Sequence, residues 1–121
     1  MNLVDKANTE SSNKYKVITL CGSTKFKKEF IEVQKQLTLK GYIVISVGLF
    51  GHSGDDEAFN YKTKKMLDDM HKRKIDMADA IFVIDVDGYI GESTLSEIVY
   101  AENWNKPVFY YSKNSDLNIE V

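Results

Sequence analysis

The chain has a single cysteine, Cys21, and only two histidines, His52 and His71. One cysteine cannot close an internal disulfide, and these three residues show no zinc-ligand spacing, so the sequence predicts neither a disulfide framework nor a metal. An excess of positive charge is also missing. Sixteen Lys and Arg stand against 18 Asp and Glu, for a net charge of −2, which is not the basic footprint of a nucleic-acid binder; polymeric DNA or RNA is not expected as a partner. No apolar run is long enough to span a bilayer, and residues 1–13 contain no apolar signal core. No membrane association is expected, and the protein reads as cytoplasmic.

Glycine is equally uninformative for the familiar phosphate loops. Gly22 stands alone after the first apolar run, so the GxGxxG dinucleotide fingerprint is absent, and no GxxxxGK[ST] loop occurs. Redox chemistry on NAD and hydrolysis of a nucleoside triphosphate lose their usual signatures, and no cofactor is expected. The segment Gly51-His52-Ser53-Gly54-Asp55 lacks the second glycine of a GxSxG nucleophile elbow, which argues against a serine hydrolase.

What is present is a regular alternation of apolar runs and amphipathic stretches. With 121 residues, 43% of them hydrophobic, the chain suits one core and not two. Residues 1–13 are polar and read as a disordered tail, leaving residues 14–121 as one domain. The first strand falls at 15–20. A Cys21-Gly22-Ser23-Thr24 turn leads to a helix at about 25–40, whose Phe26, Phe30, Val33 and Leu37 share one face. Gly41 closes that helix as a left-handed cap. A second strand (42–47), a Gly- and Asp-rich loop containing His52, Asp55 and Asp56, and a helix from about 59 or 61 to 77 follow. In this helix Leu67, His71, Ile75 and Ala78 form one stripe. A third strand (81–86), a turn, another helix and a fourth strand (108–111) complete the order βαβαβαβ, with residues 116–121 as a possible fifth, edge strand.

That order implies an α/β fold with a parallel sheet of four to five strands and helices on both faces; the strand order expected for it is 2-1-3-4(-5). The turns after strands 1 and 3 then lie side by side at the switch point, where such sheets bind ligands. The unit at 81–104, IFVIDVDGYIGESTLSEIVYAENW, is the centre of the argument: an apolar strand, a turn, and a helix whose first turn carries Ser93, Thr94, Ser96 and Glu97. Two readings of Glu97 stay open. Thr94 to Glu97 fits the capping-box pattern T-x-x-E, in which the glutamate serves the backbone; alternatively, Glu97 is a catalyst at the ligand side. His71 is either a packed core residue or an acid/base. Ser23 and Thr24 cap a helix, and Lys25, Lys27 and Lys28 beside them predict an anion site there.

The strings VITLCGSTKF (17–26), HKRKIDMADAIFVIDV (71–86) and GYIGESTLSEIVYA (88–101) resemble the nucleoside 2-deoxyribosyltransferase superfamily, which includes 2'-deoxynucleoside 5'-phosphate N-hydrolases. The resemblance runs in order over residues 15–111. It implies a flavodoxin-like, Rossmann-like three-layer fold and cleavage or transfer of an N-glycosidic bond through a covalent glycosyl-glutamate. On it, the nucleophile falls on Glu97, and Cys21, Gly22 and Ser23, with Thr24 next in the chain, match the Cys-Gly-Ser turn that holds a 5'-phosphate in phosphate-using members. Thr19 stands where the family commonly has a tyrosine. A family aspartate falls on His71, with Asp68 and Asp69 one turn earlier; another falls on Gly91, with Asp85 and Asp87 as displaced candidates. The expected catalytic set is therefore Glu97, His71 and Asp87, with Asp85, Gly91, Ser93 and Thr94 joining the first turn around substrate. The expected partners are a nucleoside or nucleotide and, because the family often completes its site across an interface, a second subunit in a homodimer. The runner-up is a non-catalytic nucleotide-binding or sensing module of the same fold, since fold alone does not set function.

Overall fold

In the computed structural model, which describes residues 14–51 and 60–121, four strands form one parallel sheet in the order β2-β1-β3-β4. The strands are β1 (Val17–Gly22), β2 (Ile43–Ile45), β3 (Ala80–Ile84) and β4 (Val108–Tyr110), separated by helices α1 (Lys27–Leu39), α2 (Tyr61–Asp76) and α3 (Glu92–Asn103). Short 3-10 turns at Thr24–Phe26 and Val86–Gly88 follow β1 and β3. The fold is α/β and consistent with the flavodoxin-like class. The polar tail and His52, Asp55 and Asp56 lie outside the described residues.

Alternation along the two central strands sorts their side chains between the layers. Ile18 and Leu20 of β1 and Phe82 and Ile84 of β3 pack with Phe30, Val33 and Leu37 of α1. Cys21 of β1 and Ile81 and Val83 of β3 pack on the opposite side with Ile75 of α2 and Ile98 and Ala101 of α3. All five residues of β3 are buried, which explains why this strand reads as an unbroken apolar run.

Local chemistry fixes the element ends. Tyr42 N–H bonds Leu37 O at 3.1 Å and Gly41 N–H bonds Thr38 O at 3.0 Å, with Gly41 at φ +94°, so α1 ends in a Schellman motif. Asn60 Oδ1 accepts from Thr63 N–H at 2.8 Å and caps the start of α2. At its other end Lys106 Nζ donates to the carbonyls of Ile75, Asp76 and Ala78. Asp79 ties the exit of α2 to the sheet by accepting from Val17 N–H at 2.8 Å.

Several boundaries differ from the sequence reading: β2 and β3 stop at Ile45 and Ile84, short of the expected 47 and 86, and three further differences bear on the site and the sheet edge. β1 runs on through Cys21 and Gly22, because parallel pairing with β3 extends to Gly22↔Ile84. A Cβ at Gly22 would lie 2.8 Å from Ile84 O, so the two strands can close on each other here only over glycine. α3 starts earlier than expected, with Gly91 as its N-cap. Residues 116–121 form no fifth strand: Leu117 is buried in the α1 layer, and Lys40 Nζ and Tyr42 Oη bond the carbonyls of Leu117 and Ile119. The segment meets α1 and its exit by side-chain contacts, where an edge strand would need a backbone ladder.

Candidate functional site

The carboxyl ends of β1 and β3 open into a cleft of about 590 Å³, lined among others by Gly22, Ser23, Thr24, Lys25, Lys64, Asp68, His71, Lys74, Tyr89, Gly91, Ser93, Thr94 and Glu97. Its position is the one the strand order demands, at the switch point between the two central strands. The volume suits a small molecule of nucleoside or nucleotide size.

Helical periodicity places Glu97 in its wall. Thr94, Glu97, Ile98 and Ala101 are the buried positions of α3, one stripe whose lower half packs on the sheet and whose upper half meets the cleft. On α2 the buried positions are His71 and Ile75, one turn apart on the facing stripe. Cys21 lies beneath both, completely buried. Cys21 Sγ is 3.5 Å from His71 Nε2, and His71 Nε2 is 3.8 Å from Glu97 Oε1.

The electrostatics follow from burial. Desolvation first of all, aided by the Asp68 charge, pushes the Glu97 carboxyl up to about 7, against a hydrogen bond from Cys21 and the charges of Lys72 and Lys64, which pull it down. Desolvation and the nearby Lys74 ammonium lower His71 to about 4, despite a backbone hydrogen bond with Leu20. Burial and Glu97 together raise the Cys21 thiol well above its ordinary value. At neutral pH the imidazole is therefore neutral. The His71–Glu97 contact has the geometry of a loose ion pair, but with an uncharged ring it is a polar contact only.

Glu97 is not a capping-box residue. The N-cap of α3 is Gly91, which puts Thr94 in the third helical position and Glu97 in the sixth, too far along to serve the first N–H groups. That leaves a buried carboxylate at a cleft with no structural duty at the helix end.

The structure gathers Gly22, Ser23, Thr24, Gly91, Ser93, Thr94, His71 and Glu97 around the cleft, with Cys21 behind His71. It does not bring Asp87 or Asp85 there. Asp87 sits in the exposed 3-10 turn at φ +55°, outside the lining. Asp85 is buried, and its carboxylate accepts from Ser112 N–H at 2.9 Å and Ser112 Oγ at 2.6 Å, so it secures the turn after β4. Thr19, also buried, donates to Lys74 O at 2.9 Å. The first-turn N–H groups are partly engaged as well: Lys25 N–H points to Ser23 Oγ at 3.4 Å and Phe26 N–H bonds Ser23 O at 3.1 Å.

Sequence reasoning overlooked Lys64, Lys74 and Tyr89. Extending the Leu67–His71–Ile75 stripe by one turn toward the start of α2 would have found Lys64 beside Asp68, to which it bonds at 3.0 Å, and the same face carries Lys74, bonded to Ser46 O at 2.9 Å. Tyr89 forms the rim opposite, its ring 3.4 Å from Lys25 Nζ and edge-on to Phe26.

No family model matches the chain, and no curated protein matches it. Among the described residues no helix is long and apolar enough to cross a membrane.

Proposed function

We propose that the protein cleaves or transfers the N-glycosidic bond of a nucleoside or nucleoside 5'-monophosphate, with Glu97 as nucleophile. The observation that carries this reading is Glu97 itself: a buried carboxylate, freed from capping, in the wall of a cleft at the carboxyl ends of a parallel sheet. Glycosidic cleavage passes through an oxocarbenium-like state, which a fixed carboxylate stabilises and then captures. A Glu97 oxygen bonds the anomeric carbon as the bond to the base breaks; the base leaves with that electron pair and takes up a proton. Water or a second base then displaces the ester and regenerates the carboxylate. Of the other two carboxylates in the cleft wall, Asp68 and Glu92, Asp68 is close enough to raise Glu97, and it suits the sugar hydroxyls or the proton delivered to the base. His71, neutral and packed, is a positioning partner of Glu97. Ser23, Thr24 and Lys25 suit a 5'-phosphate where the substrate has one.

A pairing of two chains fits the exposure of Tyr61 at 82% and Trp104 at 64%, and light scattering at micromolar concentration should give twice the chain mass. Incubation with a panel of nucleosides and monophosphates, read as free base by chromatography, tests the activity. A second reading, a nucleotide-binding or sensing module, is favoured by one observation: the described residues give Glu97 no charged acid/base partner in direct contact, since His71 is neutral at neutral pH. Saturable binding with no base released from any substrate would establish that alternative and remove the first.

A further inference from the structure

Cys21, His71 and Glu97 come from three elements, β1, α2 and α3, and each is buried. One ligand atom from each, Sγ, an imidazole nitrogen and a carboxylate oxygen, all lie within 4.8 Å of one another. We propose that this triad is a binding site for a borderline-soft divalent transition metal of the zinc class, with its open coordination position facing the cleft.

Two edges of the triad match those of one face of a coordination tetrahedron. Zinc bond lengths of about 2.3 Å to sulfur and about 2.0–2.1 Å to nitrogen, at a tetrahedral angle, place S and N roughly 3.6 Å apart; N and O come to roughly 3.4 Å. The distances here are 3.5 Å for Cys21 Sγ to His71 Nε2 and 3.8 Å for His71 Nε2 to Glu97 Oε1. The third edge, Cys21 Sγ to a Glu97 oxygen, lies within 4.8 Å against roughly 3.6 Å on such a face, so the Glu97 side chain draws in toward the sulfur to complete it. Because Cys21 lies behind His71 and Glu97, which line the cleft, an ion held by all three is reached from the cleft side, and a water or substrate atom takes the fourth position. Charge also balances. The thiol, and Glu97 where it carries a proton, release their protons to solvent on binding; a dication then sits with one thiolate, one carboxylate and a neutral imidazole, for a net charge of zero in a buried site. Thiolate with imidazole selects zinc-class ions over magnesium and calcium, which prefer an all-oxygen shell.

Occupation of the triad commits Glu97 to the metal and takes it from the anomeric carbon, so zinc inhibits base release and a chelator restores it. This consequence, unlike the binding, rests on the glycosidase reading. The decisive measurement needs no substrate. The full chain, stripped with chelator, is titrated with Zn²⁺ by calorimetry and with Co²⁺ by absorption, alongside Cys21→Ser and Glu97→Gln, each first checked for folding by circular dichroism. The expected result is one ion per chain, binding at least about 100-fold weaker in Cys21→Ser, weaker binding in Glu97→Gln, and a thiolate-to-cobalt charge-transfer band that disappears in Cys21→Ser. No binding at 1:1 protein and metal in the tens of micromolar (about), affinity unchanged in Cys21→Ser, a cobalt spectrum without the thiolate band, or equal affinity for Mg²⁺ each overturns the site. Absence of base release from every nucleoside would remove the glycosidase reading and leave this titration standing, whereas base release undiminished at saturating zinc would overturn the inhibition alone.

Discussion

The two faces of the sheet are built from the same strands and differ in what they bury. The α1 face is hydrocarbon throughout: Ile18, Leu20, Phe30, Val33, Leu37, Phe82, Ile84 and Leu117. The α2/α3 face begins in the same way at Ile75, Ile81, Val83 and Ala101, then changes toward the carboxyl ends of the strands, where Cys21, His71, Thr94 and Glu97 are buried together. Burying ionisable groups costs free energy unless they are satisfied or perturbed, and here both acid and imidazole are perturbed toward their neutral forms. The comparison separates stability from chemistry: one face holds the fold together, and the other gives up part of its stability to keep reactive groups at the cleft.

Exchanging Glu97 for its neutral isostere breaks that division most sharply. Glu97→Gln should lower base release by at least about a thousandfold. It should also raise stability at pH 8–9, by on the order of 1–3 kcal/mol, because a buried anion is replaced by a neutral amide of the same shape. Free-base chromatography and urea denaturation read the two effects. A stable variant with wild-type turnover would sink the covalent mechanism.

Leu37→Ala is the converse, on the other face. Leu37 is fully buried, so truncation should cost about 2–5 kcal/mol of unfolding free energy, while substrate turnover per folded molecule stays within about twofold. Lost turnover without lost stability would show that the α1 face also shapes the cleft.

The same contrast decides what was legible in the sequence. The apolar face of α1 could be read from the spacing of Phe30, Val33 and Leu37, and β3 from its unbroken apolar run, because each pattern is local and answers to one periodicity. The parallel sheet followed from the alternation of elements, and the strand order expected for it, 2-1-3-4, is the one found. What the sequence misplaced was decided by tertiary register. Glu97 looked like a cap because T-x-x-E is a local pattern, and only the true start of α3 at Glu92 removes that duty. Asp85 and Asp87 lie as near the turn in sequence as Gly91, yet β4 takes the first through Ser112 and the 3-10 turn carries the second outward. The Cys21–His71–Glu97 cluster has no sequence spacing to recognise, since 50 residues separate the first two and the sheet alone brings them together.

The opposed titrations of the second face should be visible in stability against pH, measured with chelator present. Glu97 is raised from 4.5 to about 7 in the folded protein. Between those values the folded state holds a proton that the unfolded chain has released, so this group lowers stability as pH rises. His71 is lowered from 6.5 to about 4. Between those values the unfolded chain holds the extra proton, so stability rises with pH. Each effect amounts to at most ~3 kcal/mol, and from 4.5 to 6.5 they cancel. The wild type should therefore be nearly flat over that window with respect to these two groups. Glu97→Gln should unmask a rise with pH, and His71→Asn a fall continuing to about pH 7. Turnover has its own signature: kcat/KM should increase through about pH 7 as Glu97 ionises, falling about tenfold per pH unit well below it.

The smallest effect is expected at Asp87, and it tests where the second face ends. The residue stands in the left-handed region at φ +55°, where a side chain costs up to about 1 kcal/mol and glycine costs little. It is exposed and absent from the cleft wall. Asp87→Gly should therefore raise unfolding free energy by no more than about 1 kcal/mol, with the gain reduced by the greater freedom of glycine in the unfolded chain. Base release should stay within about twofold of wild type. An alanine at this position keeps the strain while removing the carboxylate, so Asp87→Ala should lose a few tenths of a kcal/mol and also leave turnover alone. If both variants lost turnover by tenfold or more while remaining folded, the carboxylate would have to reach substrate from outside the cleft. The 3-10 turn would then have to fold inward on binding, carrying Asp87 toward Glu97 and making the turn after β3 part of the reactive face.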